Sequence, residues 1–166
     1  IVDMVHEDLT PSKIMTKKAF ENAIYVASAI GASSNCPPHL TAIAKHMGID
    51  FGIDNWEKLG HDIPLLVNCQ PAGEHLMEGF FKAGGIPVIM QELLKNNKLN
   101  KNVMTVTGKT IEENIKNKKN NNEDVIKPFN NPIVSNAGFI VMKSNFFSSA
   151  IMKTSVISSE FRERYL

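Results

Sequence analysis

Neither sign of charge dominates this chain of 166 residues. Eighteen Lys and Arg stand against seventeen Asp and Glu, for a formal net charge of +1. No global field is available to gather nucleic acid or an anionic membrane, so neither is expected as a partner. The basic stretch Lys116 to Lys119 is short, set among asparagines, and reads as a solvated loop. Cysteine is scarce as well. Cys36 and Cys69 lie far apart without C-x-x-C spacing, which excludes a disulfide-framed secreted domain and favours a reduced, cytoplasmic setting. No apolar run is long enough to span a bilayer and no secretory signal is visible. The first residue is Ile1, from which a cut or processed product is expected. With 43% hydrophobic and 21% charged residues, the chain has the composition of a globular protein able to bury a core.

Thr16 is placed as an N-cap, and Ala19, Phe20, Ala23, Ile24, Ala27 and Ile30 follow at helical spacing. Gly31 suits the left-handed position that ends such a helix, and Pro37 the first turn of the next. Leu40, Ile43, Ala44 and Met47 give the second helix its apolar face, closed by Gly48. Asp54 with Glu57 predicts a capping-box start for a short helix carrying Trp56 and Leu59. Ile63 to Val67 reads as a buried strand entering a turn from Asn68 to Gly73. Helices are predicted over 75–83 and, after a stop at Gly84-Gly85, over 87–95. Gly84-Gly85 lacks the spacing of a phosphate loop. Val103 to Thr107 reads as a further strand, and Thr110 as the cap of a short helix through Ile115. Alternating strands and helices predict an α/β layer architecture with a few parallel strands. The Asn- and Lys-rich stretch 117–124 reads as an exposed connection. Beyond it, 125–126, 138–142 and 150–156 read as short strands, which places a domain boundary near Glu123.

Between the first two helices, Gly31-Ala32-Ser33-Ser34-Asn35-Cys36 forms a turn of small residues leading into Pro37-Pro38-His39. Two readings are open for it: plain punctuation between packed helices, or a turn that brings polar groups to a ligand.

Ordered blocks along nearly the whole chain resemble the dihydroxy-acid, sugar-acid and 6-phosphogluconate dehydratase family. The family's N-A-I, G-G-S-T-N, following histidine and L-x-A-I-A appear as Asn22-Ala23-Ile24, Gly31-Ala32-Ser33-Ser34-Asn35, His39 and Leu40-Thr41-Ala42-Ile43-Ala44. Its P-x-G followed by A-G-G-I/V-P appears as Pro71, Gly73 and Ala83 to Pro87. T-V-T-G-K-T stands unaltered at Thr105 to Thr110, followed by Asn114. Asn131-Pro132-Ile133, Gly138-Phe139-Ile140-Val141 and Ser144-Asn145 match the later signature. Asn35 to His39, Leu65 to Cys69 and Asn145 to Lys153 resemble the sugar-acid branch, of the arabinonate and xylonate type. Ala32 and Ser34 depart from the family's glycine and threonine; a Cβ at 32 would be strained if that position had positive φ.

The resemblance implies a central fragment. Residues 1–123 would be the C-terminal part of the family's large α/β domain, and 124–166 the first strands of an incomplete β-barrel domain. It implies a hydro-lyase that converts a 2,3-dihydroxy sugar acid to a 2-keto-3-deoxy acid, with the branched-chain dihydroxy-acid enzyme as alternative. It further implies a small-molecule sugar-acid substrate and a homo-oligomeric parent, dimer or tetramer. An iron–sulfur cluster (2Fe-2S or 4Fe-4S) and Mg²⁺ are implied too, with ligands outside these residues. Cys36 and Cys69 match none of the family's ligand motifs and read as core or wall cysteines. The segment alone is expected to be inactive, or at most an interaction module. Ser33, Ser34, Asn35, His39, Thr107 and Lys109 are the candidate cleft-lining residues, with packing the commoner role for a histidine such as His39. Glu74 and His75 read as substrate-facing or as ordinary surface.

Overall fold

The computed structural model describes residues 1–165. Leu166, the last residue of the second expected unit, lies outside the described residues. Two short helices, α1 (Val2–His6) and α2 (Pro11–Ile14), precede the central helix α3 (Lys17–Ala29). Thr16 caps α3 as its position predicts, its Oγ1 accepting from the Ala19 N–H at 3.4 Å. α4 (Cys36–His46) and α5 (Ile53–Gly60) follow, then α6 (Met77–Ala83), α7 (Gly85–Lys95) and α8 (Ile111–Ile115). Two strands, β1 (Phe139–Met142) and β2 (Ala150–Lys153), pair antiparallel with Phe139 opposite Lys153 and Met142 opposite Ala150. The described chain closes with α9 (Ser159–Tyr165).

Helix α3 lies between two apolar clusters and feeds both. Phe20, Ile24 and Ala27 pack with Phe51, Trp56 and Phe139, whereas Ala29 joins Leu66, Val67, Ile89, Leu93, Ile111, Val125 and Ile126. In the first cluster the Trp56 and Phe139 rings meet edge to face, centroids 4.8 Å apart, an arrangement the ring quadrupoles favour. Glycine is required where β1 enters: a Cβ on Gly138 would stand 1.7 Å from the Gly60 carbonyl oxygen. That close approach places Phe139 over Trp56.

Several expected elements differ. Among the described residues there are no parallel strands. The segment 63–67 is buried, but irregular chain satisfies its backbone: Leu65 bonds to Val134 and Ile133, Leu66 to Ala29 and Lys127, and Ala137 to Ile63. Pro128 and Pro132 lie in the partner stretch and lack the N–H a regular ladder needs, so only isolated bridges form, Leu65 with Val134 and Val67 with Ile126. The expected strand 103–107 is likewise a single bridge, Met104 with Thr110, closing a turn. The fold mixes helices with a small two-stranded antiparallel sheet, which is compatible with the expected α/β class, and its paired strands fall within the expected 138–142 and 150–156. Helix α5 starts at Ile53, where the Asn55 side chain accepts from the Gly52 N–H at 2.8 Å. Asp54 and Glu57 instead reach Lys143 of the loop after β1, at 3.6 and 2.7 Å. Gly84, at φ +117°, ends α6, while Gly85 already opens α7. The Asn-rich stretch is exposed yet tied down, Asn121 bonding the Ala83 and Lys82 carbonyls at the end of α6.

Candidate active-site turn

The turn after α3 is a complete Schellman ending. The Gly31 N–H donates to Ser28 at 3.1 Å and the Ala32 N–H to Ala27 at 2.9 Å, with Gly31 at φ +61°. The left-handed residue is thus Gly31, and Ala32 is not at positive φ, so its Cβ carries no backbone strain. Gly31 is also closely packed: a Cβ there would approach Ser155 Oγ to 2.9 Å and Leu65 Cδ1 to 3.0 Å.

Beyond it the chain presents side chains rather than backbone donors. The Asn35 N–H is taken by Ser33 Oγ at 3.2 Å and the Cys36 N–H by the Ser33 carbonyl at 3.0 Å. Pro37 and Pro38 then remove two N–H groups from the first turn of α4. A helix start that ordinarily offers free donors to an anion has almost none here. What remains available are the exposed side chains of Ser33, Ser34, Asn35 and His39. Cys36 and Leu40 face the other way, against the cluster around Trp56.

Thr107 and Lys109 belong to a second turn, over the other half of the core. Thr105 Oγ1 donates to the Lys109 carbonyl at 2.8 Å, and Gly108 takes the left-handed conformation, φ +71°. The Asn114 amide of α8 bridges Thr105 Oγ1 and Thr107 Oγ1 at 2.7 and 2.9 Å. The T-V-T-G-K-T block is therefore a hydroxyl-stitched turn with the Lys109 side chain exposed. Ser33 to Asn35 and His39 are brought together; among the described residues no hydrogen bond or ion pair joins them to Thr107 or Lys109. Glu74 is exposed and His75 half-buried, in the loop closed by the Glu74 N–H to Asn68 Oδ1 bond at 3.0 Å.

The second strand supplies residues that sequence spacing did not single out. Lys153 Nζ, at the end of β2, donates to the Gly31 carbonyl at 3.1 Å. Ser155 is buried beneath Gly31, and its hydroxyl has no partner among the described residues. Thr154 between them donates to the Gly138 carbonyl through both N–H and hydroxyl, at 3.1 and 2.8 Å. The one signal in the sequence was a lysine closing the apolar run Ala150-Ile151-Met152.

The thiols do not fit an iron–sulfur ligand set. Burial pushes the Cys36 thiol above its ordinary value, the Lys153 ammonium opposing this in part, and burial pushes Cys69 up as well. Cluster ligation needs thiolates gathered on one site, whereas these two thiols pack on different apolar clusters. Among the described residues no group of three His, Cys, Asp or Glu is arranged to hold a metal ion. No helix among them is long and apolar enough to cross a membrane.

A family model described as dihydroxy-acid/6-phosphogluconate dehydratase N-terminal matches residues 1–114, and the chain belongs to that family. It is 48% identical to a D-xylonate dehydratase of Caulobacter vibrioides across 100% of its length, which is 28% of that protein. To an L-arabinonate dehydratase of Rhizobium leguminosarum it is 46% identical, over 95% of this chain and 28% of the relative. A dihydroxy-acid dehydratase of Acetivibrio thermocellus is 40% identical over 96% of the chain and 29% of its own length. The chain thus spans under a third of the length of these relatives.

Proposed function

We propose that these residues belong to a hydro-lyase that dehydrates a 2,3-dihydroxy sugar acid. In that reaction the C2–H and C3–OH bonds break, water departs, and the enol takes a solvent proton at C3 to give the 2-keto-3-deoxy acid. The observation that supports the substrate class is the 48% and 46% identity to two of the sugar-acid dehydratases among its relatives, above the 40% to a dihydroxy-acid dehydratase. The geometry supports it. Ser33, Ser34, Asn35 and His39 are exposed donors and acceptors of the kind that pair with a polyhydroxylated chain, and Thr107 and Lys109 offer a second polar group. On this reading the iron–sulfur cluster and Mg²⁺ are held by residues other than these, and no step is assigned to Cys36 or Cys69.

The test uses the polypeptide encoded by the reading frame that contains residues 1–166, incubated with a pentonic acid in D₂O. The expected product is a 2-keto-3-deoxy acid carrying a solvent deuteron at C3, seen by NMR. A product lacking deuterium at C3, or no keto acid from any sugar acid, overturns the reading.

A further inference from the structure

Helix α3 ends without a basic residue in its last turn, although the partial negative charge of a helix C-terminus favours a cation there. The cation comes instead from a strand 122 residues further along: Lys153 Nζ donates to the Gly31 carbonyl at 3.1 Å. Its strand end is itself held on both sides. Thr154 is fixed to Gly138 through its N–H and hydroxyl, and the Arg162 guanidinium of α9 donates to the Thr154 carbonyl. Ser155, the next residue, fills the space under Gly31. From the other side the turn is held by the start of α4, whose Cys36 N–H donates to the Ser33 carbonyl at 3.0 Å, so Lys153 is its tie on the β2 side. We propose that Lys153 is a positioning residue for the Gly31–Asn35 turn, holding Ser33, Ser34 and Asn35 in the orientation they take toward substrate. The inference rests on the reading that this turn serves the substrate cleft.

Lysine suits the task because a half-buried ammonium gives a charge-assisted bond to a carbonyl that no neutral side chain of that length supplies. Arginine keeps the charge and donors, whereas methionine keeps the length and loses both. The experiment compares Lys153→Met, Lys153→Arg and Asn35→Ala in the full-length enzyme, reading kcat, KM and melting temperature together.

Lys153→Met is expected to lower kcat/KM about tenfold or more, chiefly through kcat, in protein that still melts cooperatively. Lys153→Arg is expected to restore most of that loss. Should Lys153→Met only lower the melting temperature, with turnover per folded molecule unchanged while Asn35→Ala is impaired, the positioning role is overturned and the reading of the turn stands. Should neither Lys153→Met nor Asn35→Ala change kcat/KM, the reading of the turn falls and the positioning role with it. If Lys153→Met fails to fold, a Lys153→Arg enzyme as impaired in kcat as Asn35→Ala, with unchanged melting, overturns the proposal; near-normal kcat supports it.

Discussion

Asn22 holds the backbone of Asn100 with both ends of its amide. Its Nδ2 donates to the Asn100 carbonyl at 2.9 Å and its Oδ1 accepts from the Asn100 N–H at 2.7 Å, at a position only 4% exposed. Asn22→Ala is expected to leave both backbone groups without partners and to cost about 2–3 kcal/mol, read from the urea midpoint at unchanged slope. The residue was visible in the sequence as part of N-A-I, but its task was not, because its partner is a main-chain group 78 positions away that carries no signature of its own. The same holds for Lys153, whose acceptor is the carbonyl of a glycine. Gly31 was the opposite case. Its left-handed φ was legible because only a residue without Cβ ends a helix there cheaply, and the two hydrogen bonds of the Schellman ending follow from that.

At the level of elements, local chemistry carried most helices and the paired strands β1 and β2, which fall within the expected 138–142 and 150–156, but failed on 63–67 and 103–107. The start of α8 is a full capping box: Thr110 Oγ1 accepts from the Glu113 N–H at 3.3 Å, and Glu113 Oε2 accepts from the Thr110 N–H at 2.8 Å. The hydroxyl and N–H of Thr110 hold the Glu113 carboxyl below its ordinary value of 4.5. A lowered folded value means this contact contributes in full above the unfolded value and fades as pH falls through the folded one. Thr110→Ala is therefore expected to move the Glu113 titration up toward 4.5, followed by carboxyl NMR, and to cost about 1 kcal/mol of stability at neutral pH through the lost cap. A Glu113 titration that does not move would show that the box is not formed. The segments 63–67 and 103–107 had no such decisive local signal. The run 63–67 has the composition of a parallel-sheet strand, yet its neighbours at 125–137 contain two prolines, so tertiary pairing decided what periodicity could not. Helices α1 and α2, five and four residues long and without a side-chain cap hydrogen bond, were missed, as was α9.

On the scale of the whole molecule, the described residues build two apolar clusters joined by α3 and leave two polar turns at the surface. They gather no thiolate or carboxylate set. Reconstitution of the 166-residue chain with iron and sulfide is accordingly expected to give no stoichiometric cluster absorption in the visible; a cluster lost on replacing Cys36 or Cys69 by alanine would contradict this. The family could be recognised from sequence partly because two of its motifs, Gly31–Asn35 and Thr105–Thr110, sit at turns, where residue identity is dictated by backbone geometry, while others lie inside α3, α4 and β1. The substrate was less legible, since it depends on which side chains face it across the cleft. The measurement that bears most directly on the proposed substrate class is therefore competition: a pentonic acid and a branched-chain 2,3-dihydroxy acid offered together to the polypeptide encoded by the reading frame that contains residues 1–166, with both keto acids quantified. A sugar-acid dehydratase is expected to favour the pentonic acid by about 10²-fold or more in kcat/KM, as a site built to pair substrate hydroxyls rejects an alkyl analogue. Equal use of both acids, or preference for the branched one, would contradict the account.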